Sequence, residues 1–534
     1  MIEDITLRIE PSKAASPAQL VGAACRVSGL RPEDVNDIRI TRRSVDARKH
    51  PVMLNLNVRV ATGEDAAVPL LERPVRFSPV PADAPVMVIV GAGPAGLFAA
   101  LRAITHGVRP IVMERGRDVD ARRLDLAAIS REKCINTASN YCFGEGGAGA
   151  YSDGKLFTRS KKRGSVEEIL QLFVQHGASP DILIDAHPHI GSDRLPHVIK
   201  NIRQTILDNG GEVRFETRVR DLIIADGEVR GVITDRGEAA ADAVILATGH
   251  SAHDTFKVLA GRDVAMEPKG IAVGVRLEHP QTLIDSIQYH SRSGRGRYLP
   301  AAEYSFVSQQ DGRGVYSFCM CPGGVVVPAG SADGELVVNG MSASARAGKW
   351  ANSGMVVEIR PGDFPQFDGD GPLQMLHLQE WLEKSMFEAA GDTIVAPAQR
   401  MLDFTEGRLS KTLPKTSYAP GVQSADFNTL LPPFIASRLA AGFRHFGRKA
   451  RGFLTNDAVM IGLESRTSSP VRITREPETL ESVNVAGLYP AGEGAGYAGG
   501  IVSAAIDGMR CADAAAARLA ERKNSSHDKT KQKI

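Results

Sequence analysis

The sequence predicts an α/β protein. A parallel β-α-β domain is interrupted by a mixed α+β domain and preceded by a small α+β unit. Three observations predict this. The continuous apolar run Val86–Val90 leads into Gly91-x-Gly93-x-x-Gly96 and an Ala- and Leu-rich helix. A second apolar strand, 110–113, ends at Glu114. Far down the chain, YPAGEGAGYAGGIVSAAIDGMRCA returns to the same glycine- and alanine-rich style. Uninterrupted apolar runs are the mark of parallel strands buried on both faces.

Taken in order, residues 1–80 form the small unit. Ile5, Leu7 and Ile9 alternate with polar residues, as do Leu54, Leu56, Val58 and Val60, which is the period of a half-buried strand. Leu20, Val21, Ala24 and Val27 share one helical face between them. A proline-rich linker spans 72–85. The first part of the β-α-β domain covers 85–264. Ser165 and Glu168 make a capping-box pattern there. A helix starts near Arg194 and presents Leu195, Val198, Ile199, Ile202 and Ile206 on one face. Short strands follow near 212–216, 219–225 and 229–234, then a buried one at 243–247. Residues 265–455 are expected to be the inserted substrate domain, with strands at 315–320 and 324–327 and helices at 373–390 and 434–446. Residues 456–520 return to the β-α-β domain, and the polar tail 521–534 is expected to be disordered.

Composition limits what such a chain does. It has 534 residues with Lys+Arg 64 against Asp+Glu 62, a net charge of +2. That balance argues against general binding to nucleic acid, and none is expected as a partner. Six scattered cysteines make no disulfide scaffold. The N-terminus carries no signal-peptide pattern, and no apolar run reaches the length of a membrane span. A cytoplasmic protein is the expectation.

The first glycine motif stands where a dinucleotide fingerprint requires, after a strand and before a helix. Gly91 permits the turn, Gly93 lets backbone approach a pyrophosphate, and Gly96 lets helix pack on strand. The helix start offers free N–H groups to phosphates. Glu114 is placed to bond ribose hydroxyls and to disfavour a 2′-phosphate. NAD and FAD both use this unit. Thr248-Gly249 after a buried strand, Glu493 between glycines before a new helix, and the glycines of FGEGGAGAYSDGK bear on that choice.

The combination GAGPAG, Glu114-Arg115-Gly116, ATG and AGEGAGYAGG resembles flavoproteins with the glutathione-reductase-type FAD-binding fold. FGEGGAGAYSDGKLFTR, ATGHSAHDTF, CMCPGG, NGMSASAR and ESRTSSPVRI narrow the resemblance to a largely uncharacterised family of bacterial FAD-dependent dehydrogenases, over nearly the whole chain. The family pattern has Arg where His253 stands. The resemblance implies a glutathione-reductase-type FAD domain, and since no residue marks itself as a flavin attachment site, the FAD is expected to be held non-covalently. It implies FAD contacts at Gly91, Ala92, Gly93, Pro94, Ala95, Gly96, Glu114 and Arg115 in the first motif. It places others at Val219 and Gly249 and at Gly492, Glu493, Gly499, Gly500 and Ile501, and the residues themselves add Gly146, Gly147, Lys155 and Thr248 as expected contacts. A second fingerprint for NADPH is absent from 250–480.

Catalytic candidates are fewer. His250 follows the ATG turn and would move protons near neutral pH. Cys319 and Cys321, two apart in a strand, would face one side, as a thiol pair or as two packed small residues. Arg466 and Arg472 bracket hydroxyls in a pattern suited to a carboxylate or carbonyl. His290, Arg295 and Arg297 form a basic stretch that would meet an anionic substrate, or else water. No metal site is expected. The reading is an FAD-dependent oxidoreductase passing hydride between an organic small molecule and flavin N5, with an unidentified electron donor or acceptor. The alternatives are a nicotinamide-reduced flavoprotein, an NAD-dependent dehydrogenase without flavin, and a flavin-bearing binding protein whose 1–80 unit meets a partner.

Overall fold

In the computed structural model, the described residues are 1–64, 67–158 and 164–531, without the side chains of 525–531. Arg159, the last residue of the FGEGG motif, and 532–534 of the tail lie outside them.

Strands Ile2–Ile9, Val35–Asp46 and Met53–Thr62 form an antiparallel sheet with the third strand in the middle. Helix Pro17–Ser28 closes one face, burying Leu20, Ala23 and Ala24 against Leu7, Leu56 and Val58. The strand Val35–Asp46 has no counterpart in the sequence reading. It is an edge strand with polar residues on both faces, so it lacks the alternation that marked its neighbours. Its Arg43 forks onto Asp185 at 2.7 and 3.1 Å and fastens this unit to the rest.

The second sheet has five parallel strands in the order Leu488–Pro490, Ala243–Leu246, Val86–Val90, Arg109–Met113, Glu212–Arg214. This is a Rossmann-like arrangement. The helices Pro94–Thr105, Leu195–Asp208 and Ile501–Lys531 cover one face, and their apolar stripes merge with Ile89, Val112 and Ile245 into one core. A three-stranded antiparallel layer, Val219–Ala225, Glu228–Thr234 and Gly237–Ala240, lies against the other.

The third sheet is mixed. Its long strand Arg313–Pro328 unites the two short strands expected at 315–320 and 324–327, with register shifts between Phe318 and Cys321 and between Cys321 and Gly324. Strand Val459–Glu464 pairs with Ile271–Pro280 and Ala396–Arg400 in this sheet. Its ladder bonds tie it to the inserted unit, so a boundary at 455 falls too early. Helix Ile501–Lys531 runs as far as Lys531 into the tail expected to be disordered. Once the Ala-rich half is packed, each further residue adds a hydrogen bond at little entropic cost. Among the described residues, no helix is long and apolar enough to cross a membrane.

Candidate active site

Both glycine motifs end at one cleft. The turn from strand Val86–Val90 places Gly91, Gly93, Pro94 and Ala95 on its wall, and Gly499, Gly500 and Ile501 at the start of the last helix face it too. Two helix N-termini thus meet at one opening. Their first-turn amides have no intrahelical acceptor and their dipoles are positive there.

The glycines divide by physical need. Gly91 has φ +105°, and a Cβ there would lie 2.5 Å from the Ala247 carbonyl oxygen. A Cβ on Gly96 would collide with the Gly91 carbonyl. These two are required by the protein's own packing. Gly93, Gly499 and Gly500 have ordinary negative φ, and a Cβ on them would meet no protein atom closer than 3.9 Å. Nothing in the fold demands glycine there, so what it keeps clear is space in the cleft.

Four of the expected cofactor contacts stand behind the wall. Ala92 is fully buried, and its N–H donates to Glu114 at 2.9 Å. Gly96 serves packing. Gly146 donates its N–H to the Ala92 carbonyl, and its Cα sits against Ile199. Gly492 donates to the buried carboxylate of Asp507 at 2.8 Å. Each spends its backbone on the motif's shape. The others, Gly147, Lys155, Val219, Thr248, Gly249 and Glu493 among them, line the cleft.

Glu114 lines the cleft but already accepts three amides, from Ala92, Gly116 and Gly144, at 2.9, 2.9 and 3.0 Å. Its carboxylate sets the glycine turn, and only the remaining lone-pair capacity faces a ribose. Arg115 pairs with Asp254 at 2.6 Å and stacks on Phe143 at 4.3 Å. The buried Arg122 holds the second glycine segment by donating to the carbonyls of Asn140, Tyr141, Gly144, Glu145 and Gly147. It went unnoticed in the sequence because nothing marks a helical arginine as buried.

The catalytic candidates fare differently. His250 is in the cleft, its Nδ1 3.7 Å from Glu493 Oε1. Burial, with Arg466 nearby, pushes the imidazole down to about 3. It is neutral at physiological pH and does not titrate near neutrality as expected. Glu493 does, because burial raises its carboxyl to about 7, against the pull of Lys269. Lys269 was not singled out in the sequence, since a lone lysine in a strand-rich stretch carries no signal.

Arg466 also reaches the cleft wall. However, all five of its donors are spent: on Glu383 twice, on Glu335, on Ser331 and on the Cys142 sulfur. It has none left for an incoming carboxylate. Arg472 pairs with Glu267 at 2.7 Å, near the surface.

Cys319 and Cys321 do not face one side. The register shift gives Cys319 a left-handed backbone, φ +43°, and turns it into the cleft, while Cys321 is fully buried behind it. The two are free thiols. Arg276 donates to the Cys319 carbonyl at 2.7 Å and to the Cys321 sulfur at 3.3 Å, and Lys155 donates to the Met320 carbonyl. The hydrogen bond from Cys321, opposed by burial and helped by these cations, draws the Cys319 thiol below the ordinary range. The same bond and burial push Cys321 up. Asp153, also unforeseen, forms a buried pair with Arg346 beside them.

The donor set suits FAD. Two helix N-termini and cleared glycine positions fit a pyrophosphate, and Thr217 and Val219 wall the end beside Glu114, where an adenosine would lie.

Sequence comparison agrees with this chemistry. Residues 270–467 match the pattern of the C-terminal domain of FAD-dependent proteins, and residues 1–61 match a domain of unknown function. An uncharacterised protein of Clostridium beijerinckii is 39% identical over 506 residues, spanning 92% of this chain and 94% of its own. Among solved structures, a geranylgeranyl bacteriochlorophyll reductase-like protein of Thermoplasma acidophilum is 12% identical, with 82% of this chain and 80% of that one covered at a TM-score of 0.35. Glycine oxidase of Bacillus cereus is 13% identical, covering 83% and 96%, at 0.29.

Proposed function

The chain belongs to the family of FAD-dependent proteins, flavin oxidoreductases with FAD as cofactor, and from that premise we propose a dehydrogenase that passes hydride between an organic small molecule and flavin N5. The observation that carries the proposal is the convergence of both glycine motifs on one cleft, with Cys319, His250 and Glu493 in its wall.

The amide of Ala95, at the start of its helix, would hold the pyrophosphate, and the start of helix Ile501–Lys531 would face the anionic side of the ring system. When bound, FAD supplies two-electron chemistry by exchanging hydride at N5. The protein's own residues orient reactants and manage protons. His250 offers a neutral imidazole. Glu493 holds a proton up to about pH 7 and is the group placed to release one. Cys319 presents a sulfur whose thiol its neighbours hold below the ordinary range, suited to meeting an electron-poor carbon. The mixed sheet at 271–464 walls the cleft through Phe318, Cys319 and Asn339, and the organic substrate would enter from that side. The absence of a second dinucleotide fingerprint favours an organic donor over NADPH.

The test is the visible spectrum of the purified full chain, followed anaerobically as NADH and then NADPH is added. A flavin spectrum that neither nicotinamide bleaches supports an organic donor. Rapid bleaching replaces that donor with nicotinamide. A protein that stays colourless after addition of FAD overturns the proposal.

A further inference from the structure

A second cavity, of about 600 Å³, lies where the N-terminal unit meets the rest of the chain. That size is typical of small-ligand pockets. Ile40, Val45, Leu54 and Leu56 of the N-terminal sheet make one wall, and Tyr289, Leu299 and Pro300 of the inserted unit face them. Val45 and Tyr298, both on the lining, are among the large apolar side chains that remain exposed, at 38% and 50%. Surface left open in a concave, largely apolar site is a ligand's surface.

The charges facing this cavity can be accounted for one by one. Asp185 is forked by Arg43. Glu303 bonds His187. Arg346 is held by Asp153 from behind. His189 donates to the Ser344 carbonyl at 3.0 Å. Every acid on the lining therefore has its own hydrogen-bond partner. Arg297 is the cation left over: it makes no ion pair with any described residue, and its guanidinium lies 5.8 Å from the ring of Tyr298. The basic stretch 290–297 thus resolves into three different roles. His290 donates to the Ala47 carbonyl, Arg295 sits 3.7 Å from Asp285, and Arg297 is free to meet a ligand.

We propose that this cavity is a binding site for a small organic monoanion with an apolar body, its charged head on Arg297 and its body along Val45, Leu299 and Tyr298. The site is distinct from the cofactor cleft but shares a wall with it. The His187 ring on the cavity side lies 5.0 Å from that of Phe157 on the cleft side, and Arg346 and Asp153 pair across the same layer. The assignment does not depend on flavin chemistry, so a protein that fails to hold FAD leaves it standing.

The probe pair is anilinonaphthalene sulfonate and its uncharged counterpart phenylnaphthylamine, which share an aromatic body and differ in the sulfonate. Each is titrated by fluorescence into the full-length protein as purified. The sulfonate is expected to bind saturably at one site, at least about tenfold tighter than the uncharged probe, which is about 1.4 kcal/mol. Arg297→Gln should bring the sulfonate down to the level of the uncharged probe. Val45→Trp should fill the cavity and remove both, with the flavin content of the preparation unchanged. Equal affinity for the two probes, or sulfonate binding untouched by either substitution, overturns the proposal.

Discussion

Glu493 and His250 show how burial reassigns protonation roles between neighbours. The histidine, which titrates near neutral pH in water, is driven to about 3, and the carboxyl beside it is driven to about 7. Burial disfavours whichever form carries charge, so it lowers the base and raises the acid. A consequence for cofactor binding follows. Below about pH 7 Glu493 is neutral; above it, the cleft gains a negative charge where an anionic cofactor must sit, with the Lys269 ammonium nearby. FAD affinity should therefore fall by up to about tenfold between roughly pH 6 and pH 8. Glu493→Gln should flatten that dependence. Quenching of flavin fluorescence on binding measures it, and a wild-type affinity that does not change over the range would rule the assignment out.

At the level of elements, the cleft depends on two helices that cross closely. Helix Ile501–Lys531 packs on helix Pro94–Thr105 at Gly508, where a Cβ would collide with the Ala95 carbonyl oxygen. Ala95 also lines the cleft, so this crossing sets the position of the amide that would hold the pyrophosphate. Glycine to alanine inside a helix ordinarily stabilises by about 1 kcal/mol. Here the sign reverses, because backbone must move to admit the methyl group. Gly508→Ala should destabilise the protein by about 1–3 kcal/mol and weaken FAD binding. Urea unfolding and flavin retention on gel filtration read the two effects. A stabilised variant would mean that the helices do not meet as described. Gly508 lies within IVSAAIDGMRCA, yet no fingerprint marks it, since its reason is a partner more than four hundred positions away.

At the scale of the whole molecule, several carboxyls are buried in the body of the fold and not in its cleft. Glu278, on strand Ile271–Pro280, is 2% exposed and takes its hydrogen bonds from the Ser417 amide and hydroxyl. Burial raises it to about 7, against the pull of those bonds. Its folded value lies above the unfolded one, so the folded state keeps a proton that the unfolded chain releases near pH 4.5. The contribution is present in full below that pH and is lost as pH rises toward about 7. Glu278→Gln, which keeps the shape and removes the titration, should therefore gain on the wild type by an amount on the order of 2 kcal/mol between about pH 5 and pH 8. Thermal unfolding of both proteins across that range tests it. A constant difference in Tm would place the titration elsewhere.

The sequence by itself determined the nucleotide-binding core. Val86–Val90, the Gly91-x-Gly93-x-x-Gly96 turn and the late glycine motif are local signals, because strand burial, turn geometry and helix starts depend on residues close along the chain. It also placed His250, as a group to move protons, and Glu493 beside a cofactor. Only the tertiary structure decided that Glu114 is occupied with three backbone amides and that Arg466 has no free donor. It alone placed Cys319 in the cleft with Cys321 behind it, and left Arg297, among the described residues, as a cation of a second cavity with no ion pair. Each of these depends on partners brought from distant segments. Hydrogen-bond saturation, burial and charge balance are properties of what surrounds a side chain in space, and spacing along the chain does not encode them.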